Sequence, residues 1–132
     1  MSKPLLGAIH HVALICSNYP RSRAFYSETL GLPIVHEAYR EARVSWKCDL
    51  LVSPGVQLEL FSFPDPPPRP SRPEAQGLRH LAFAVPDVDA AAAVLGERGV
   101  SCEPIRVDEY TGKRFTFFAD PDGLPIELYE AG

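Results

Sequence analysis

Four residues of this chain have the types and spacing to hold a metal ion. His11 stands in IHHVALI, Glu59 in VQLELF, His80 in LRHLAFA and Glu127 in LPIELYE. His11 and Glu59 are 48 positions apart, and His80 and Glu127 are 47 apart. The same histidine and glutamate unit is therefore present twice. Two neutral imidazoles and two carboxylates neutralise a divalent cation without thiolates, a donor set that suits Zn²⁺, Ni²⁺, Co²⁺, Mn²⁺ or Fe²⁺. Four protein ligands in an octahedral shell would leave two positions open for a substrate with two neighbouring oxygens. A hydroxy-carbonyl compound bound in this way could have its enediolate stabilised while a nearby glutamate moves a proton between carbons. Taken singly, each residue is more simply read as a solvated or salt-bridged side chain. The matched placement of all four favours the joint reading.

The elements that must position these residues repeat as well. In the first half, Ile9 to Cys16 reads as a buried strand. A helix follows, capped by Asn18, with an early Pro20, and is stopped by Gly31. Strands are expected near Pro33 to Tyr39, Arg43 to Val52 and Gly55 to Ser62. In the second half, Leu78 to Val85 is the strand and Asp87 caps a helix that ends at Gly99. Strands follow near Ser101 to Val107, Lys113 to Ala119 and Leu124 to Glu130. Each half is βαβββ, and the fold class is α+β. Residues 1–132 read as one domain of two tandem modules, about 8–63 and 77–130, because the chain is too short for two independently stable cores. The linker, 64–76, opens with six prolines between Pro64 and Pro73, so it can be neither helix nor central strand.

Strand alternation sorts the side chains. His11 shares a face with Ala13 and Ile15, and His80 with Ala82 and Ala84, while the bulkier residues point the other way toward the helix. The histidines then look out over small residues. Glu59 and Glu127 alternate against leucines and isoleucine on their strands. DPDG at 120–123 reads as a hairpin turn with Gly123 left-handed, a register that puts Phe115 and Phe117 on the face of Glu127. By the repeat, Lys47 takes the place of Phe115, with Ser45 and Arg43 on the same side. The candidate substrate-binding residues are thus Lys47, Arg43, Phe115 and Phe117, a cationic and an aromatic wall for a small anionic substrate. Ordinary core phenylalanines and an exposed basic strand are the simpler reading of the same residues. His10 is expected to face the helix side as a structural histidine, and His36 to be exposed.

Composition narrows the class further. The chain has a net charge of -4, 45% apolar and 23% charged residues, and no block of like charge. No nucleic acid or membrane partner is expected. No apolar run approaches the roughly 20 residues of a membrane span, and the N-terminus has no signal-peptide pattern. Cys16, Cys48 and Cys102 are odd in number and form no C-x-x-C pair. They suggest neither a disulfide framework nor a thiolate metal site, and a cytoplasmic location is expected.

HHVAL at 10–14, SRAFYSETLGL at 22–32, ELF at 59–61, RHLAFAVPD at 79–87 and DPDGLPIELYE at 120–130 resemble the vicinal oxygen chelate superfamily. Within it, the chain looks most like glyoxalase I-like members, and the resemblance covers nearly the whole chain. It implies paired βαβββ modules whose curved mixed sheets form a cup around a metal. The implied ligands are His11, Glu59, His80 and Glu127, with Glu127 as the proton-transferring base and zinc or nickel as the metal. It further implies a metal-dependent lyase or isomerase acting on a hydroxy-carbonyl or hemithioacetal substrate, and a homodimer is expected because each open half would otherwise leave sheet edges unpaired. A dioxygenase or antibiotic-modifying transferase on the same scaffold, or a metal- or drug-binding module without turnover, are the alternatives. Positions where glyoxalase I places glutathione contacts hold Ile15 and Phe63, so the resemblance does not extend to a glutathione handle.

Overall fold

In a computed structural model, residues 4–132 are described. Residues 1–3, part of the N-terminal reading above, lie outside the described residues. The chain forms two compact units, one ending at Pro67 and the other beginning at Pro68. The proline-rich segment from Pro68 onward therefore belongs to the second unit.

The first unit runs β1 (His11–Cys16), α1 (Tyr19–Ala24), β2 (Ile34–Arg40), β3 (Ser45–Ser53) and β4 (Val56–Ser62). The second runs β5 (Leu81–Val85), α2 (Val88–Glu97), β6 (Arg106–Val107), β7 (Arg114–Ala119) and β8 (Pro125–Glu130). The sheets have the orders β1-β4-β3-β2 and β5-β8-β7-β6. In each, the first strand lies parallel to the last and the other neighbours are antiparallel. The fold is α+β, and the duplication read from the sequence is a duplication of topology.

Both helices start where their caps dictate. The Asn18 side chain accepts from the Arg21 amide at 3.1 Å, and Asp87 accepts from the Ala90 amide at 3.0 Å, each satisfying a first-turn donor that has no partner within the helix. The first helix is shorter than its pattern. After Ala24 the chain widens into a π-type turn over Phe25–Thr29, with the Leu30 amide donating to the Phe25 carbonyl, and Tyr26 within that turn is fully buried. Gly31, at φ 76°, then reverses the chain in a conformation that costs glycine little.

Strand edges also differ from their expected bounds. β6 keeps only two residues of an expected seven. Pro104 has no amide to add to a ladder, and Thr116 instead donates its hydroxyl to the Glu103 carbonyl at 2.6 Å. Arg43, expected in the next strand of the first half, stands in a 3₁₀ turn over Glu41–Arg43. Val44 ends that turn at φ 49°, which interrupts strand alternation before β3 begins. Arg43 therefore does not share the register of Ser45 and Lys47.

Each sheet packs its leucine-rich face inward. Cys48 and Leu50 of β3 and Leu58 and Leu60 of β4 are buried in the first unit, and Val88, Leu95, Phe118, Ile126 and Leu128 in the second. Burial of one such side chain stabilises by roughly 1.5–3 kcal/mol. These interiors hold the opposite, polar-bearing faces of the sheets in place.

Candidate functional site

In the parallel ladder between β1 and β4, Ala13 is the partner of Glu59, and between β5 and β8, Ala82 is the partner of Glu127. Each glutamate thus stands beside an alanine two residues beyond a histidine. A methyl side chain leaves the carboxylate free to reach past it. His11 Nδ1 lies 3.6 Å from Glu59 Oε2, and His80 Nε2 lies 3.1 Å from Glu127 Oε1. The alanine face of β1 and β5 is exposed and the alternate residues are more buried, so His11 is on the open side of its sheet, and His80, just before β5, is placed by its approach to Glu127.

The surroundings of the two glutamates differ. Glu59 is enclosed by polar groups: Gln57 donates its amide to Oε2 at 3.0 Å, and Lys47 Nζ lies 3.7 Å from Oε1. Lys47 is held in turn by Asp49, with Nζ 2.6 Å from Oδ1. Asp49 is the direct cross-strand neighbour of Glu59 and also of His36, whose Nδ1 lies 3.8 Å from Oδ2. In the second unit, the cross-strand neighbour of Glu127 is Phe117. The Phe117 ring meets His80 edge-on at 5.1 Å. Phe115 stacks on Tyr129 at 6.3 Å. Lys47 pairs with Phe61 as Phe115 pairs with Tyr129, so Lys47 and Phe115 are equivalent positions of the repeat, and so are Asp49 and Phe117. The ammonium of Lys47 is directed to two carboxylates of its own sheet.

Asp49 was not among the candidates from sequence. The signal was available, because it lies two residues beyond Lys47 on the same strand face and is the repeat counterpart of Phe117. His10 also departs from its expected role. Regular strand begins at His11, so alternation does not fix the side chain of His10. It is exposed, and its Nδ1 lies 2.9 Å from that of His11. His36 is exposed, as expected.

Beneath α1 a second polar cluster ties helix to sheet. Arg23 donates from Nε to Glu37 Oε2 at 2.7 Å and from its terminal nitrogen to Oε1 at 3.0 Å, while the Tyr19 hydroxyl donates to Oε2 at 2.5 Å. The Arg23 hydrogen bonds hold the Glu37 carboxyl below the usual range. Burial and then the bond to Glu37 push the Tyr19 phenol far up. Burial raises the thiols of Cys48 and Cys102, which disfavours thiolate chemistry at both.

The donor types at the two histidine and glutamate pairs fit a divalent ion, each pair offering one imidazole and one carboxylate on an open face. Among the described residues, no three His, Cys, Asp or Glu side chains converge as a complete metal-binding group, and no helix is long and apolar enough to cross a membrane.

The family model described as "Glyoxalase/Bleomycin resistance protein/Dioxygenase superfamily" matches residues 8–128. The protein YaeR of Escherichia coli (strain K12) is 62% identical over 125 residues, spanning 95% of this chain and 97% of that protein. A 2-epi-5-epi-valiolone epimerase from Actinomyces sp is 32% identical over 142 residues, spanning 92% of this chain and 78% of the epimerase. The crystal structure of a glyoxalase family protein from Enterococcus faecalis is 49% identical and superposes with a TM-score of 0.87 over 93% of this chain and 97% of that one. With its duplicated βαβββ topology and a family match from residue 8 to 128, the chain belongs to the Glyoxalase/Bleomycin resistance protein/Dioxygenase superfamily.

Proposed function

We propose that this protein is a metal-dependent lyase or isomerase of glyoxalase I type, acting on a small hydroxy-carbonyl or hemithioacetal compound. His11, Glu59, His80 and Glu127 are its metal ligands, with zinc or nickel, favoured by the family resemblance, among the divalent ions that suit two imidazoles and two carboxylates. Bound there, the ion would supply Lewis acidity to a substrate with two adjacent oxygens. Glu127 moves the proton between the substrate carbons.

The observation that carries the assignment of roles is the unequal setting of two glutamates at equivalent strand positions. Glu59 is hydrogen-bonded by Gln57 and faced by Lys47, which hold its carboxylate in one orientation. Glu127 has Phe117 across the ladder and His80 at 3.1 Å. A base must swing toward the carbon it deprotonates, and a carboxylate without a clamping cation keeps that freedom. His11 and His80 stand over alanines, which leaves room for substrate beside them. Resemblance to an epimerase supports proton transfer over oxygen chemistry, because epimerisation also removes and returns a proton at carbon.

The test is a screen of hemithioacetals and hydroxy-carbonyl compounds with the purified protein, its chelated form and Glu127→Gln. Activity should require Ni²⁺ or Zn²⁺ and proceed without oxygen uptake. Glu127→Gln should lower kcat by about 10²–10⁴ with the fold intact, the range expected for loss of a positioned acid–base group. Oxygen consumption with a catechol and Fe²⁺ would instead identify a dioxygenase. Turnover that survives chelation would refute the metal-dependent reading.

A further inference from the structure

A cavity of about 560 Å³ lies wholly within the second unit, with His80 and Phe117 in its wall. The proline-rich segment forms another part of that wall, through Arg69, Pro70, Ser71 and Arg72. Four arginines line the cavity, Arg69, Arg72, Arg79 and Arg106, against two carboxylates, Glu74 and Glu103. Its charged side chains therefore carry two positive charges in excess, in a chain whose net charge is -4.

The excess can be located. Arg79 is paired with Glu74 at 2.6 Å and Arg106 with Glu103 at 3.2 Å. Arg106 is further fixed by lying over the Phe115 ring, 4.9 Å from its centroid. Arg69 has only neutral acceptors, the Ser71 hydroxyl at 2.8 Å and the Leu78 carbonyl at 3.4 Å. Arg72 makes no ion pair or hydrogen bond among the described residues and acts on Glu74 only through space. These two guanidiniums bring forked donors to the cavity without a carboxylate partner, the arrangement that recognises carboxylate or phosphate.

We propose that this cavity binds an oxyanion, with Arg69 and Arg72 as its contacts, and that the substrate is a hydroxy-carbonyl compound bearing a carboxylate or phosphate. The site stands on the arginines alone; its role in selecting substrate rests on the proposed reaction at His80 and Glu127. A seam joining two repeated units thereby gains a function of its own. It places beside His80 two guanidiniums without a carboxylate partner, whereas the Lys47 ammonium of the first sheet is taken up by Asp49 and Glu59.

The experiment is a titration of the full-length protein, with chelator present, by inorganic phosphate and separately by malonate at constant ionic strength. It is followed through the arginine Nε–H signals by NMR. Saturable binding of either probe is expected, weakened at least tenfold by Arg72→Ala and further by Arg69→Ala/Arg72→Ala, and unchanged by Arg21→Ala in the first unit. Preference for phosphate identifies a phosphoester substrate, and preference for malonate a carboxylate. A response equal to that of chloride, or equal affinity in the double variant, overturns the proposal. Zinc uptake measured on the same variants separates the two readings. Lost anion binding with intact zinc uptake isolates the arginine site, whereas absent zinc uptake with intact anion binding would refute only the metal centre.

Discussion

Lys47 marks the difference between the two halves. Its ammonium lies between Asp49 and Glu59, whose side chains are only 12% and 10% exposed. Two carboxylates on adjacent strands repel each other, and burial in a medium less polarisable than water strengthens the repulsion. Replacing Lys47 by Met should therefore cost about 1–3 kcal/mol of stability at neutral pH, the range for leaving buried polar groups without a partner. Denaturant midpoints will measure the loss. Adding Asp49→Asn to Lys47→Met should recover most of it, since only one carboxylate then remains, and a double variant no more stable than the single one would contradict this account. From sequence, Lys47 was recognisable as a residue of the glutamate face. What it does there was not, because Glu59 becomes its second partner only through the register between β3 and β4.

At the scale of elements, α1 is fastened to β2 through one carboxylate. Glu37 receives both Arg23 and Tyr19, and with its pKa lowered chiefly by the Arg23 bonds, its contribution to stability has a definite sign. The folded protein holds the ionised form more firmly than the unfolded chain does. Stability from this group is therefore fully present above the unfolded value, roughly pH 4.3, and disappears as pH falls through the lower folded value. Thermal melts of Glu37→Gln should show a deficit at pH 7 that narrows below about pH 4. A constant deficit across that range would mean that the carboxylate charge is not what fastens the helix. The helix itself was legible from Asn18, Pro20 and Gly31. Its early widening after Ala24 was not, because propensity does not register that Tyr26 is to be buried. Nor did alternation warn that Arg43 would leave the strand, since a left-handed Val44 resets the register.

At the scale of the molecule, the proposed metal chemistry uses one histidine and one glutamate from each unit. If all four serve one ion, metal analysis should find about one divalent ion per chain, and His11→Ala and His80→Ala should each abolish tight binding rather than halve it. Independent sites in each unit would instead lose half the metal in each variant. Light scattering on the same samples tests the proposed homodimer. The sequence by itself determined the duplication, the βαβββ order, the helix caps and the strand faces of His11, Glu59 and Glu127. These depend on local periodicity and on capping chemistry, which short stretches of chain encode. The tertiary structure alone decided that Lys47 and Asp49 of β3 would meet Glu59 of β4. It also gathered Arg106 with Arg69, Arg72 and Arg79 around one cavity. Both outcomes follow from strand register and chain reversal, which bring together residues that no local pattern relates.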